Sequence, residues 1–411
     1  MSLSNFVKRV RNIMRNDAGI NGDAQRIEQM AWMLFLKVYD EKENDWELDD
    51  DDYKSIIPEE CRWRNWAHDD GSGNALTGDE LLSFVNNTLF VELKNIEVTP
   101  TTPIRQAIVK TTFEDANQYM KDGVQLRQVL NVIDGLNLGD YEESHAFGEI
   151  YETILKEMQS AGSSGEFYTP RALTEFMAEI VNPQIGEKMA DFACGTGGFI
   201  TSWLGELDKK VKTAEDRKEY NQSVFGIEKK QFPYMLCVTN LLLHGIDTPL
   251  VYHDNSLTKD VLNYTDGDKF DVVLMNPPYG GNEKSDVKSH FPSDMRSSET
   301  ADLFMVLIMY RLKKNGRAAV IVPDGAGSRT GHNRTRLFVA GTLVDGFGKQ
   351  LPQRQESGRR LRRTLDFQTF IVRVDVLHQF TKRVFIEESH TQTRGIRCQT
   401  ENVERTFRIK I

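Results

Sequence analysis

Met189-Ala190-Asp191-Phe192-Ala193-Cys194-Gly195-Thr196-Gly197-Gly198-Phe199-Ile200 is the stretch on which the reading of this chain turns. An extended lead-in meets a run of small residues, and an apolar, helix-like segment follows. Gly195, Gly197 and Gly198 let the backbone turn tightly and approach a ligand with no side chain between. A strand-to-helix turn at the C-terminal end of a parallel sheet is where open α/β folds bind nucleotides. A phosphate loop is excluded, because it requires Gly, four residues and then Gly-Lys-Ser/Thr, and no Lys follows here. The dinucleotide spacing fails as well, since its third glycine would fall at Ile200. A nucleoside carrying no phosphate suits the turn, and so does an ordinary strand-to-helix connection.

Beyond this turn the chain alternates. Ser223–Ile227 reads as a short strand ending at Glu228, Phe232–Leu243 as a helix and Leu250–Tyr252 as a strand. Phe270–Met275 is a continuous apolar run, as expected of a buried parallel strand, and it leads into Asn276-Pro277-Pro278-Tyr279. Ala301–Leu312 reads as a helix and Ala318–Val322 as another buried strand. The βαβα order predicts a doubly wound, mostly parallel sheet with helices on both faces. Upstream, Ala146–Ser160 has a helical apolar face, and a Gly/Ser loop then ends in Glu166-Phe167-Tyr168-Thr169-Pro170-Arg171. Thr169 is the expected N-cap and Pro170 the expected first residue of a helix over Ala172–Ile180.

The first 140 residues read as a helical domain. Phe6, Val10, Ile13 and Met14 fall at helical spacing, and a second helix is expected from about Ala24. Leu81–Val91, Ile104–Tyr119 and Gly123–Gly135 also read as helices. The acidic run Glu47–Asp52 is expected to be a solvated loop, and Trp63 and Trp66 a satellite core. The chain of 411 residues carries 51 basic and 61 acidic residues, a net charge of −10, which argues against a lone nucleic-acid binder relying on its own field. Cys61, Cys194, Cys237 and Cys398 form no C-x-x-C pair, so a disulfide framework or zinc ribbon is not expected. No apolar run reaches ~18 residues, and a cytoplasmic protein with no membrane association is the expectation.

Four stretches therefore fall at strand ends, which a doubly wound sheet brings along one edge. Asp191 can cap the turn. Glu228 is either an exposed strand-end charge or the acceptor of two ribose hydroxyls. Asn255 is a turn former. Asn276–Tyr279 is more specific: two prolines end the strand sharply and stiffen the backbone beyond it. A side-chain amide oxygen beside a fixed backbone carbonyl is an acceptor pair suited to an exocyclic amine, and Tyr279 adds a face for stacking a base.

In this order the residues resemble the adenine-N6 DNA methyltransferases that use S-adenosylmethionine. Asp191–Phe199 is similar to their cofactor motif, and Asn276-Pro277-Pro278-Tyr279 matches their catalytic N-P-P-Y. Gly165–Arg171, behind a helical domain, narrows the resemblance to the modification subunit of type I restriction-modification systems, over about residues 5–325. The resemblance implies a helical N-terminal domain (1–140) followed by a class I S-adenosylmethionine-dependent methyltransferase domain (141–325). It implies that adenine is flipped out of duplex DNA, that Asn276 and the Pro277 carbonyl accept from its amine, that Pro278 stiffens the loop and that Tyr279 stacks on the base. By the same carry-over Phe167, Tyr168 and Thr169 lie near the methionine end of the cofactor, and Asp191 acts there or in the turn. Ala193, Gly195, Thr196, Gly197 and Phe199 belong to its turn, Glu228 meets the ribose and Asn255 the adenine ring. Asp254 stands where this group often has Gly. No metal is implied. The implied partners are double-stranded DNA, a DNA specificity subunit that reads sequence, a second copy of the methyltransferase subunit and a restriction nuclease subunit. N-P-P-Y alone also fits methyltransferases acting on RNA or on protein glutamine.

The resemblance stops near Gly325. Residues 325–411 contain 14 Arg and 3 Lys against 8 acidic residues, whereas the preceding 324 hold only 13 Arg. The family continues with a further helix and strands, for which this stretch has no clear counterpart beyond a possible strand over Phe367–Val376. Residues 326–411 are thus an atypical basic segment with three open readings: a divergent DNA-contacting extension, a solvated segment, or family sequence lost to a frame shift. The last leaves open a cofactor-binding scaffold that is catalytically incomplete.

Overall fold

Helical periodicity governs the chain before residue 135, and period-two and continuous apolar runs govern it after 188. The computed structural model describes residues 3–136, 169–279, 281, 283–323, 335–341, 368–373, 385–386, 395–396 and 407–410. The expected helix over 146–160 and residues Gly165–Tyr168 lie outside these.

Helix α1 (Leu3–Met14) buries Phe6, Val7, Val10 and Met14. Helix α2 (Gly22–Asp49) starts two residues before the expected Ala24 and runs into the acidic stretch. Glu47 is therefore helical and pairs with Arg62 and, at 2.9 Å, with Arg64, which corrects the expected solvated loop there. After α3 (Trp63–Trp66), α4 (Gly78–Phe84) passes through a π turn at Val85–Leu89 into α5 (Phe90–Asn95). Trp63 and Trp66 are buried in the main apolar cluster and are not a satellite. Helix α6 (Ile104–Phe113) ends six residues short of the expected Tyr119, because the Tyr119 N–H leaves the helix to donate to Gln29 Oε1 at 2.8 Å. Helix α7 (Gly123–Asp134) is capped by Asp122, whose carboxylate accepts from the Val124 and Gln125 N–H groups.

Strands β1 (Met189–Asp191), β2 (Val224–Glu228), β3 (Val251–His253), β4 (Phe270–Met275) and β5 (Leu312–Pro323) are parallel in the order β3-β2-β1-β4-β5. Helix α8 (Arg171–Val181) precedes β1, and the connections carry α9 (Gly198–Asp208), α10 (Ala214–Asn221), α11 (Gln231–Leu243), α12 (Ser285–Ser289) and α13 (Thr300–Arg311). Strand β5 begins six residues earlier than its apolar run; an irregular register, with Asn315 at φ 67°, absorbs the polar Lys313–Gly316. Beyond it, β6 (Thr335–Gly341) and β7 (Gln368–Arg373) extend the sheet antiparallel, and β7 lies within the expected Phe367–Val376. Short strands β8 (Phe385–Ile386), β9 (Gly395–Ile396) and β10 (Phe407–Lys410) form a second small sheet.

Both faces of the main sheet are covered, which is why β4 reads as unbroken apolar sequence. Val272 and Leu274 face a cluster that includes α9, α11 and the N-terminal helices. Val273 and Met275 face a second cluster with Leu303 and Leu307 of α13. The helical region and the sheet thus share a core: α2 packs on α11, and Gln231 Nε2 donates to the Thr111 carbonyl at 2.8 Å.

Candidate active site

Strand β1 ends at Asp191 and the chain turns through the quoted glycines into α9. Gly195 has φ 54° and Gly197 φ 83°, both left-handed, and a Cβ on Gly197 would lie 2.9 Å from Cys237 Sγ of α11. These two positions require glycine for different reasons, one for conformation and one for conformation plus contact. Neighbouring strands hold the turn. The Cys194 N–H donates to the Ile227 carbonyl at 3.0 Å, and Gly195 N–H donates to Glu228 Oε2 at 2.8 Å. Asn240 Nδ2 of α11 reaches the Thr196 carbonyl at 3.3 Å. Phe199 is 4% exposed and packs into the core beneath the turn.

Glu228 is not an exposed strand end: it is 8% exposed, and its second oxygen accepts the Lys230 N–H at 2.8 Å. Asp191 is 1% exposed; one oxygen accepts the Ala193 N–H at 3.0 Å, and Oδ2 is buried with no hydrogen-bond partner. Burial pushes the Asp191 carboxyl up to about 8, and the nearby Glu228 charge adds to the rise. Asn255 follows β3 and forms a turn, with Oδ1 accepting the Leu257 N–H at 3.1 Å. A cavity of about 490 Å³ beside β3 has Ile227, Asp254, Asn255 and Ser256 among its walls.

Asn276-Pro277-Pro278-Tyr279 follows β4, the strand next to β1. Pro277 is buried, Pro278 exposed, and Asn276 and Tyr279 half-buried. Asn276 Nδ2 donates to Thr169 Oγ1 at 3.1 Å. The Tyr279 hydroxyl lies on Asn276 Oδ1 and, at 2.7 Å, on the Ile321 carbonyl of β5. Burial holds the Tyr279 phenol above its usual range.

The Asn276 contact changes the expected cap. Helix α8 begins at Arg171, Pro170 takes the cap position with extended ψ, and no side chain caps it, because the Thr169 hydroxyl faces Asn276. Arg171 Nη1 instead donates to the Gly198 carbonyl at 2.9 Å and to Thr201 Oγ1 at 2.6 Å. Residues 169–171 therefore bridge the two motifs, with Thr169 on the N-P-P-Y and Arg171 on the first turn of α9. Sequence reasoning assigned no contact to Arg171, Cys237 or Asn240; adjacency of Arg171 to Thr169 was the only available signal. Phe167 and Tyr168 lie outside the described residues.

The turn fits a nucleoside cofactor such as S-adenosylmethionine. It presents a buried carboxyl oxygen without a hydrogen-bond partner at Asp191, a carboxylate at the end of β2, and glycines where a Cβ would be strained. Among the described residues no group of three His, Cys, Asp or Glu is placed to hold a metal ion, and no helix is long and apolar enough to cross a membrane.

Comparison with known proteins gives concordant results. A family model described as N-6 DNA Methylase matches residues 142–343, and one described as HsdM N-terminal domain matches residues 3–133. The chain is 47% identical, over 327 residues, to the type I restriction enzyme EcoEI methylase subunit of Escherichia coli, covering 79% of this chain and 66% of that protein. It is 32% identical over 248 residues to the type I restriction enzyme MpnII methylase subunit of Mycoplasma pneumoniae, covering 54% of this chain and 44% of that one. A solved modification subunit of a putative type I restriction enzyme from Vibrio vulnificus superposes with a TM-score of 0.69 at 40% identity, over 79% of this chain and 71% of that chain. The chain thus spans two thirds or less of the length of the curated relatives it matches.

Proposed function

The chain belongs to the N-6 DNA methylase family, among the type I restriction enzyme methylase subunits, and from that premise we propose that it methylates the N6 amine of a specific adenine in duplex DNA, using S-adenosylmethionine, with sequence read by a separate specificity subunit. The observation that carries the reading is the placement of Asn276–Tyr279 at the end of β4, beside the glycine turn at the end of β1 and tied to it through residues 169–171.

The roles follow from the chemistry of the groups. Asn276 Oδ1 and the Pro277 carbonyl accept the two amine N–H groups of a flipped adenine, which keeps the nitrogen lone pair out of those bonds. Pro277 and Pro278 hold these acceptors rigid, and Tyr279 supplies the stacking face. Glu228 accepts from the ribose of the cofactor, Asn255 lies toward its adenine, and Asp191 with Phe167, Tyr168 and Thr169 toward its methionine end. Ala193, Gly195, Thr196, Gly197 and Phe199 shape the turn on which it rests. Bound there, S-adenosylmethionine supplies a methyl group on a sulfonium, and the protein contributes positioning and electrostatics. The net charge of −10 supports a division of labour in which a specificity subunit supplies most DNA contacts. A second methylase subunit and a nuclease subunit complete the proposed assembly, in the cytoplasm.

The basic residues 326–411 favour a second reading, a scaffold that binds cofactor without transferring methyl. One assay separates the two. The chain reconstituted with its specificity subunit should place N6-methyladenine at one bipartite motif. Cofactor binding without any methylation of cognate DNA would support the scaffold. Methylation of RNA or protein in place of DNA would overturn both.

A further inference from the structure

We infer that Thr169 is a positioning residue for Asn276, holding its amide in the orientation seen; this rests on the adenine-methylation reading. A carboxamide presents an acceptor at one end and two donors at the other, so a half-turn about its last torsion replaces the oxygen that an amine needs with an NH₂ that repels it. That torsion is broad and roughly two-fold, so the rigid Pro277-Pro278 backbone does not choose between the orientations. The side-chain partners hold the orientation seen. Thr169 Oγ1 accepts from Nδ2 at 3.1 Å, and Oδ1 is left on the opposite side, against the Tyr279 hydroxyl.

The two partners are not equivalent. The tyrosine has one proton and two acceptors, Asn276 Oδ1 and the Ile321 carbonyl at 2.7 Å. When a substrate amine takes Oδ1, the tyrosine proton keeps Ile321. The Thr169 bond uses the other end of the amide and can persist while Oδ1 is engaged. Thr169 is itself anchored: Pro170 restricts the backbone after it, and Arg171 is bonded to the Gly198 carbonyl and Thr201 Oγ1. The amine acceptor is in this way set relative to the glycine turn by three consecutive residues.

The test uses the full chain with its specificity subunit and two substitutions, Thr169→Val, which keeps shape and removes the hydroxyl, and Thr169→Ser, which keeps the hydroxyl. Thr169→Val should lower kcat about tenfold, the effect of one neutral hydrogen bond. The DNA KM should stay close to wild type, any fall in cofactor affinity should be smaller than the fall in kcat, and Thr169→Ser should restore kcat. In ¹⁵N-asparagine-labelled chain, the Asn276 side-chain amide signals, identified by their loss in Asn276→Ala, should move in Thr169→Val and stay in place in Thr169→Ser. Unmoved amide signals in Thr169→Val, an unchanged kcat, or a loss confined to cofactor affinity would each overturn the inference. Failure of the wild-type complex to methylate any cognate DNA would instead sink the methylation reading, while the amide signals still decide whether Thr169 holds Asn276.

Discussion

Glu228 Oε2 accepts the Gly195 N–H at 2.8 Å, so the carboxylate that ends β2 holds the turn that ends β1. Its other oxygen takes the Lys230 N–H, also at 2.8 Å. Glu228→Gln presents an NH₂ to one of these donors. It should cost about 1–3 kcal/mol in folding, as expected when a buried donor loses its acceptor, and should weaken S-adenosylmethionine binding. Urea unfolding and calorimetric titration measure the two effects. A variant with wild-type stability and affinity would show that the carboxylate holds neither turn nor cofactor.

The glycines of the turn should respond unequally to alanine. Gly195 has φ 54° with nothing within 4 Å of an added Cβ, so Gly195→Ala should cost only the left-handed backbone term, about 1–2 kcal/mol. Gly197 has φ 83° and would place its Cβ 2.9 Å from Cys237 Sγ, so Gly197→Ala adds overpacking, typically about 1–3 kcal/mol more. Gly197→Ala combined with Cys237→Ala should recover part of the second loss. No recovery in the double variant would place the strain elsewhere.

Stability should depend on pH through Asp191. Burial pushes its carboxyl up to about 8 in the folded chain, against about 3.9 for an exposed Asp. The folded state therefore keeps the proton where the unfolded state has lost it. This contribution to stability is full below about pH 4 and is lost as pH rises through about 8. Asp191→Asn stays neutral throughout. Thermal melts of the cofactor-free chain at pH 5 and pH 8 should show a larger fall for wild type than for the variant; parallel curves would contradict the assignment.

Removal of the amine acceptor should separate chemistry from binding. Asn276→Ala is expected to lower methyl transfer by about 10²-fold or more, the scale seen when one positioned polar group is lost from a transition state. Cofactor affinity should change little, because Asn276 is bonded to Thr169 and Tyr279 and not to the glycine turn. Single-turnover transfer and equilibrium cofactor titration report these separately. Equal losses in both would mean that Asn276 supports the cofactor.

The N-terminal helices depend on one buried carboxylate. Asp17 is 4% exposed and accepts the N–H groups of Gly19, Lys121 and Asp122 at 2.7–3.1 Å, tying the turn after α1 to the start of α7. Asp17→Ala leaves those donors without their acceptor and should cost about 3 kcal/mol, since bonds to a charged acceptor are among the stronger ones. A urea midpoint within error of wild type would remove this tie from the account.

Sequence by itself determined the parallel strands β1 to β4, the apolar part of β5, and the two motifs. Phe270–Met275 was legible to the residue because burial on both faces leaves no polar break, and Pro277-Pro278 ends it. The tight turn at Gly195, Gly197 and Gly198 was legible from its glycines, and the structure makes the first two left-handed. Tertiary structure alone decided the end of α6, which a bond to Gln29 draws away from its helical pattern. It alone moved Thr169 from cap to partner of Asn276, 107 residues away, and joined Arg171 to the helix after the glycine turn. It also placed β6 and β7 antiparallel beside β5. Periodicity and turn chemistry are local and leave a trace in sequence; a hydrogen bond between distant side chains, or the pairing of one strand with another, exists only once the backbone has folded to bring the partners within reach.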